Sequence, residues 1–402
     1  MSAPEVFQLS LGPLTGLAFS ADRSQIAACP ANNDVQIYTR GGPDGWELNQ
    51  TLAEHDKVIT SISWAPRTNR IVTCSQDRNA YVWTLNDHTG EWKPVLVLLR
   101  INRAATCVAW SPQEDKFAVG NGARSVAVCS FDEENNWWTS KHLKKPLRST
   151  VLSIDWHPNN VLLATGSADA KARVFSAFIK GVDAKPEPTV WGEKLPFNTV
   201  CGEFASPNGG WVHDVSFSPS GNLLAFASHD SSISIVYPSG PNQPPAAIQT
   251  IRSTSLPYTS LTFTTEHALV AAGHDCQPVL FQGTQEAGWE KVKSLDDTAA
   301  AGRGGMTPQA TGASRFGGNS VGRLQSEAFN RFRQADTRGA SSASAAGAGP
   351  GPDGVVAGGE LRTVHQNTIT GCQPYEWGSD GGVVKVYTIG RDGRLAIWSV
   401  AA

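Results

Sequence analysis

The sequence predicts an all-β fold: a ring of seven small β-sheet blades closed by a strand from the N-terminus. Three observations predict it. A turn-and-strand unit recurs along the chain. The opening strand of each unit returns at a near-constant interval. The last unit is one strand short, and a lone strand near the N-terminus can supply it.

The unit is clearest in Ser75-Gln-Asp-Arg-Asn-Ala-Tyr-Val-Trp-Thr-Leu85. Gln76 to Asn79 supply turn residues, and Tyr81, Trp83 and Leu85 alternate with Ala80, Val82 and Thr84. Asp77 stands six residues before Trp83, and the same spacing joins Asp169 to Phe175, Asp275 to Phe281 and Asp392 to Trp398. Asp230 to Val236 ends on an aliphatic residue, Asn32 to Tyr38 begins on Asn, and Ala123 to Cys129 is the degenerate copy. These are seven copies.

Val6–Leu9 reads as a lone strand. The first unit then offers Leu14–Ser20, Gln25–Cys29, Val35–Tyr38 and Trp46–Leu52, four short strands. Opening strands end at Phe19, Trp64, Trp110, Trp156, Phe217 and Phe263, at intervals of 45, 46, 46, 61 and 46. A period near 45 with four strands per unit resembles WD40 repeats, which form β-propellers. The seventh unit has Ile369–Tyr375, Val383–Thr388 and Leu395–Val400. An open ring would leave two unpaired edges, so Val6–Leu9 is expected to fill the gap.

Two departures break the period. The interval of 61 places extra residues within Ile179–Trp211, which holds Lys185-Pro-Glu-Pro188 and Pro207-Asn-Gly-Gly210 and reads as a long outer-strand loop. Phe281 and Trp398 are 117 residues apart, so a large insert separates units six and seven. The expected division is blades one to six with the closing strand over 1–297, a flexible insert over 298–362, and blade seven over 363–402. From Thr298 to Gly359, 33 of 62 residues are Gly, Ala or Ser, too few apolar groups to fold alone. One island, Ser320–Arg338, predicts a helix near 320–338, with Gly339 as its stop. Val321, Leu324, Ala328, Phe329 and Phe332 share one face, with Arg323, Glu327, Arg331, Arg333 and Arg338 mostly elsewhere. Such a helix either docks on its own ring, stays disordered, or enters a groove on a partner through Leu324, Phe329, Arg331, Phe332 and Arg333.

The bulk properties fit. Gly 39 and Pro 24 suit a turn-rich β protein, and Trp 13 against Met 2 suits aromatics at repeated positions. A net charge of −3 gives no global basic field for nucleic acid. The seven cysteines include no C-x-x-C pair and fall mostly in apolar strands, as in a reduced cytoplasmic protein. The N-terminus lacks a basic run followed by an apolar one, and no apolar segment is long enough to span a membrane.

No enzyme constellation emerges: there is no Walker loop, no strand-bound G-x-G-x-x-G and no H-E-x-x-H. Neither cofactor nor metal is expected. His55, Ser75, Asp77 and Trp83 could suggest a Ser-His-Asp nucleophile. Their order and recurrence fit a structural hydrogen-bonded set instead. Asp169, Asp230, Asp275, Asp392 and Trp398 fall at the same structural positions, and His274-Asp275 is read likewise. Arg100, Arg103, Lys141, Lys144, Lys145 and Arg148 concentrate basic charge around unit three. They form either a solvated rim or a contact for an acidic protein surface. Trp137-Trp138, read as a loop before Lys141, either anchors an interface or packs within blade three.

Longer strings carry a more specific resemblance. They are Arg70–Leu85, Leu99-Arg-Ile-Asn-Arg-Ala-Ala105, Trp137-Trp138 with Lys141–Thr150, Trp156-His-Pro-Asn-Asn-Val-Leu-Leu163 and Ala272–Phe281. In this order they resemble the WD-repeat subunit family of the actin-related protein complex that nucleates branched actin filaments. That family also carries a late insert with a short helix, and Glu327, Phe329 and Phe332 match its acidic residue and two apolar anchors. The insert is more Gly/Ala-rich here than in the family pattern. The resemblance implies a non-enzymatic scaffold in cortical actin structures. Its implied partners are the actin-related proteins, small subunits, the mother filament at the insert helix and, nearby, nucleation-promoting factors. ATP would belong to the actin-related subunits. A substrate-receptor or signalling propeller is the alternative, but no recruiting domain is evident. A propeller enzyme would need clustered acid and base residues at the blade tops.

Overall fold

A computed structural model describes residues 3–41, 45–86, 88–193, 195–240, 243–296 and 361–400. They form seven four-stranded antiparallel sheets arranged as a WD40-type propeller. Six blades are built from four consecutive strands. The seventh takes Ile369–Trp377, Val383–Gly390 and Arg394–Ser399 and adds Glu5–Gln8 on its outer edge. Glu5 pairs with Ile397 and Gln8 with Arg394, so the ring closes as the strand count predicts. The expected helix at 320–338, with its candidate contact residues, lies outside the described residues.

The core sits between blades rather than inside them, because each sheet has two apolar faces and only a neighbouring sheet can cover them. Val72 and Val82 of blade two, for example, pack with Trp110, Phe117 and Trp138 of blade three. Trp137 and Trp138 are not in a loop. They begin the outer strand Trp137–Leu143, and strand alternation buries Trp138 while leaving Trp137 exposed. The extra residues of blade four precede its outer strand, Val200–Ala205, but are no bare surface loop. Trp191 and Leu195 are buried, the Trp191 indole N–H donates to the Gly221 carbonyl at 2.7 Å, and Asp183 pairs with the buried Lys116.

Every inner strand carries a bulge at its second residue. A bulge re-aims its side chain, here toward the next blade. In five blades that residue is Thr, and its hydroxyl donates to the first strand carbonyl of the next blade. Thr15 reaches Ile59 at 2.7 Å, Thr60 reaches Ala105 at 3.0 Å, Thr106 reaches Val151 at 2.6 Å, Thr259 reaches Ile369 at 2.6 Å and Thr370 reaches Leu14 at 3.0 Å. Leu152 and His213 hold the position in blades four and five. Lower on the inner strands, Asp155 Oδ2 accepts from Phe217 N–H at 2.7 Å, and Asp214 accepts from Ser153, Ser260 and Leu261.

These two inner carboxylates set a pH dependence. Burial is the main force pushing Asp155 up to about 7, and nearby Asp214, itself raised by burial, adds to it. A carboxyl with a raised folded pKa binds its proton more tightly in the folded state. Its stabilising contribution is therefore complete at low pH and is lost as pH rises to about 7. Asp155→Asn keeps an acceptor for Phe217. It is expected to melt increasingly above the parent between about pH 4 and pH 7, by up to about 4 kcal/mol less whatever solvent screening removes. A melting difference that stays constant across that range would refute the assignment.

Candidate functional site

One face of the ring gathers the loops that enter each inner strand and the turns between second and third strands. A repeated backbone contact fixes both. The turn N–H bonds the entry-loop carbonyl in all seven blades: Ala31 to Pro13, Gln76 to Val58, Gly122 to Ala104, Ala168 to Thr150, His229 to Trp211, His274 to Pro257 and Arg391 to Thr368, at 2.8–3.2 Å.

The next turn residue is Asp in five blades, and its Oδ2 accepts a second entry-loop N–H. Asp77 takes Asp56 at 3.2 Å, Asp169 takes Arg148 at 3.0 Å, Asp230 takes Asn208 at 3.2 Å, Asp275 takes Leu256 at 3.1 Å and Asp392 takes Gln366 at 2.7 Å. Asp169 also pairs with the buried Arg173, which bonds Glu203 in turn.

Blade two adds a buried relay. The Trp83 indole donates to Thr73 Oγ1 at 3.0 Å, Thr73 meets His55 Nε2 at 2.9 Å, and His55 Nδ1 meets Asp77 at 2.7 Å. Burial pulls His55 below its ordinary pKa while Asp77 opposes. A neutral ring with its proton on Nδ1 satisfies every partner. The hydroxyl in the relay is that of Thr73, not Ser75. Ser75 donates to the Lys57 carbonyl at 2.8 Å and accepts the Asp77 N–H at 3.2 Å, so it holds the turn. The reason is register: Trp83 faces Ile71, and Thr73 is its diagonal neighbour on the same face. Because Thr73 is fully buried beneath Trp83, this Thr-His-Asp set reaches no substrate.

Blade seven repeats the relay, joining the marked Asp392 and Trp398 through Thr388 and His365, two residues that sequence reasoning missed. Trp398 donates to Thr388 at 2.7 Å, Thr388 meets His365 Nε2 at 2.8 Å, and His365 Nδ1 meets Asp392 at 3.1 Å. A signal was available. Both Thr residues lie ten positions before their Trp. Both His residues lie four before the inner strand that begins at Ile59 or Ile369. The remaining marked residue, Asp230, also accepts from Ser232.

The basic residues occupy three elements around blade three. Arg100 and Arg103 lie in its entry loop, Lys141 on its outer strand, and Lys144, Lys145 and Arg148 in the loop leading to blade four. All six side chains are exposed, and none forms an ion pair among the described residues. Ser140 and His142 bond the carbonyls of Leu98 and Leu99, tying the outer strand to that entry loop. Sequence reasoning missed a seventh cation on this face, Arg124, in the blade-three turn at φ 59°.

Family comparisons agree with this architecture. A model described as WD domain, G-beta repeat matches residues 46–84, 139–176 and 199–236. Each match takes the outer strand of one blade and the first three strands of the next, the same offset that makes the N-terminal strand close the ring. Actin-related protein 2/3 complex subunit 1 of Schizosaccharomyces pombe is 48% identical over 401 residues, covering 100% of both chains. The chain belongs to the Actin-related protein 2/3 complex subunit 1 family. Subunit 1A-A of Xenopus laevis is 46% identical over 97% of this chain and 95% of its own. Subunit 1 of Saccharomyces cerevisiae is 37% identical over 99% and 98%. Among the described residues of this family member, no three His, Cys, Asp or Glu groups are arranged to hold a metal ion, and no helix is long and apolar enough to cross a membrane.

Proposed function

We propose that this chain is a non-catalytic scaffold subunit of the complex that nucleates branched actin filaments, working in the cytoplasm at cortical actin. The observation that carries the reading is the 48% identity, over the full length of both chains, to a protein named as subunit 1 of the actin-related protein 2/3 complex. A stapled ring suits the role, because a rigid disk can present several loop sets to several partners at once. The basic sector of Arg100, Arg103, Lys141, Lys144, Lys145 and Arg148 would meet an acidic surface of a sister subunit. The insert residues Leu324, Phe329, Arg331, Phe332 and Arg333 would engage the mother filament. A tethered contact of this kind adds avidity through effective concentration. Promoting factors would bind nearby.

Native purification from cytosol with identification of co-purifying chains tests the scaffold role. Near-stoichiometric recovery of two actin-related proteins and several small subunits supports it. Recovery of ligase or signalling partners without actin-related chains would overturn it. The insert is tested separately. Phe329→Ala with Phe332→Ala should leave the melting curve unchanged and lower filament affinity of the assembled complex by at least about tenfold, as for loss of an interface anchor. Unchanged branch density in the reconstituted reaction would remove the insert from the filament contact.

A further inference from the structure

Blade three departs from the device that five of the turns share. Its backbone frame is intact, since Gly122 N–H still bonds the Ala104 carbonyl at 2.9 Å. The residue that follows is Ala123, where five blades place an aspartate. The entry-loop N–H that such an aspartate would accept belongs to Asn102. Asn102 stands three residues before the inner strand at Ala105, as Asp56, Arg148 and Gln366 stand before Ile59, Val151 and Ile369.

Where the carboxylate is missing there is a cleft of about 730 Å³ lined by Asn102, Arg103, Ala104, Thr106, Gly122, Ala123, Arg124 and Thr150. No acidic residue lines it. Arg103 and Arg124 come from different loops, and neither is paired among the described residues. Gly122 keeps the wall open, because a Cβ there would stand 3.2 Å from the Arg103 Cβ and 3.8 Å from Thr150 Oγ1. The volume falls within the range of about 300–1,000 Å³ typical of small-ligand sites.

The geometry points to a binding site for a phosphorylated small molecule, an inositol polyphosphate or the same group as a lipid headgroup. Its phosphoryl group takes the place of the missing turn aspartate. Two guanidiniums balance a dianion, and their forked donors suit phosphate oxygens. The Asn102 N–H supplies the backbone donor that aspartates engage elsewhere. Further phosphates meet Arg100 from the same loop as Arg103, and Lys144, Lys145 and Arg148 from the loop that ends at Thr150. This goes beyond the scaffold reading and assigns Arg100, Arg103, Lys144, Lys145 and Arg148 a small-molecule role in place of a protein contact.

The test is titration of inositol hexakisphosphate into the assembled complex containing the full chain. Saturable one-to-one binding is expected. Ala123→Asp rebuilds the internal carboxylate and should weaken binding by at least about tenfold, as should Arg103→Ala with Arg124→Ala, the loss of charge-assisted hydrogen bonds. Melting of the Ala123→Asp variant at the parent temperature shows that it folds; if it misfolds, the arginine pair decides. Co-sedimentation with phosphatidylcholine vesicles carrying phosphatidylinositol bisphosphate, lost in the same variants, would assign the headgroup. Binding of the soluble compound without vesicle binding would assign the free form. Absence of saturable binding, or binding indifferent to both variants, overturns the site. So does an unphosphorylated polyglutamate peptide that binds with the same sensitivity, or loss of sister subunits from the Ala123→Asp complex, since either makes the cleft a protein contact.

Discussion

Trp83→Ala is expected to cost about 3–5 kcal/mol, the usual range for truncating a fully buried large aromatic. Trp83 is 2% exposed and packs in the seam between blades one and two, with Ala27, Cys29, Val35 and Ile37 on the far side. The substitution empties that seam and leaves Thr73 Oγ1 without its indole donor. Trp83→Phe separates the two effects: it keeps most of the packing and should cost nearer 1–2 kcal/mol, roughly one lost buried hydrogen bond plus a small cavity. Thr73→Val should also destabilise, because His55 Nε2 then faces a methyl, while Thr73→Ser should largely recover the loss. Denaturant unfolding of the four variants measures all of this. A parent-like midpoint for Trp83→Ala would show that the seam does not depend on this side chain.

How far the sequence could be read follows from the range of each signal. The ring was legible because its period is carried by local pairs: an Asp in a turn and an aromatic six residues on report one turn and one strand. Strand count then forced the closure through Val6–Leu9. The structure begins and ends that strand one residue earlier, at Glu5 and Gln8. Thr73 was not distinguished from Ser75, because both hydroxyls lie on one face of one strand. Only the register against Trp83 decides which sits beneath the indole. Trp137 was taken into a loop because the acidic and amide run before it, Asp132 to Asn136, suggests a longer turn than the one formed. The blade-four excursion looked like surface from its Pro and Gly content. What buries it is the packing of Trp191 and Leu195 with Phe204 and Phe217, together with a pairing of Lys116 with Asp183 across 67 residues, and no local pattern reports either.

The same limit explains why the face of the ring was only partly read. Charge concentration marked Arg103 but not Arg124, whose turn lacks the aspartate that flagged the other copies. The degenerate repeat was visible at Ala123. Its consequence, an entry-loop N–H and two arginines without an internal anion, needed the backbone frame of the other six blades for comparison.

Deleting residues 1–9 should be the second large perturbation, because it removes the strand that forms the outer edge of blade seven. The lost strand pairs Glu5–Gln8 with Arg394–Ile397, and the segment carries further bonds, among them Leu9 N–H to the Gly393 carbonyl at 3.1 Å and Gln8 Nε2 to the Asp392 carbonyl at 2.8 Å. Phe7 meets Trp46 of blade one edge-on at 6.3 Å, and Tyr38 donates to the Leu9 carbonyl at 3.0 Å, so the segment ties blade seven to blade one. Loss of the ladder and of Phe7 packing should together cost about 3 kcal/mol or more. The kinetic effect is larger. Arg-Leu-Ala-Ile-Trp-Ser at 394–399 becomes an exposed edge with little charge, a template for strand addition between copies. The expected result is soluble aggregate on size exclusion and a lowered unfolding midpoint with strand content largely retained. Phe7→Ala leaves the ladder in place and should lower the midpoint by only about 1–2 kcal/mol without aggregation. That contrast assigns the aggregation to the unpaired edge. A truncated chain that stays monodisperse and as stable as the parent would mean that the ring holds without its closing strand, and that the seams between blades, not the edge, govern its integrity.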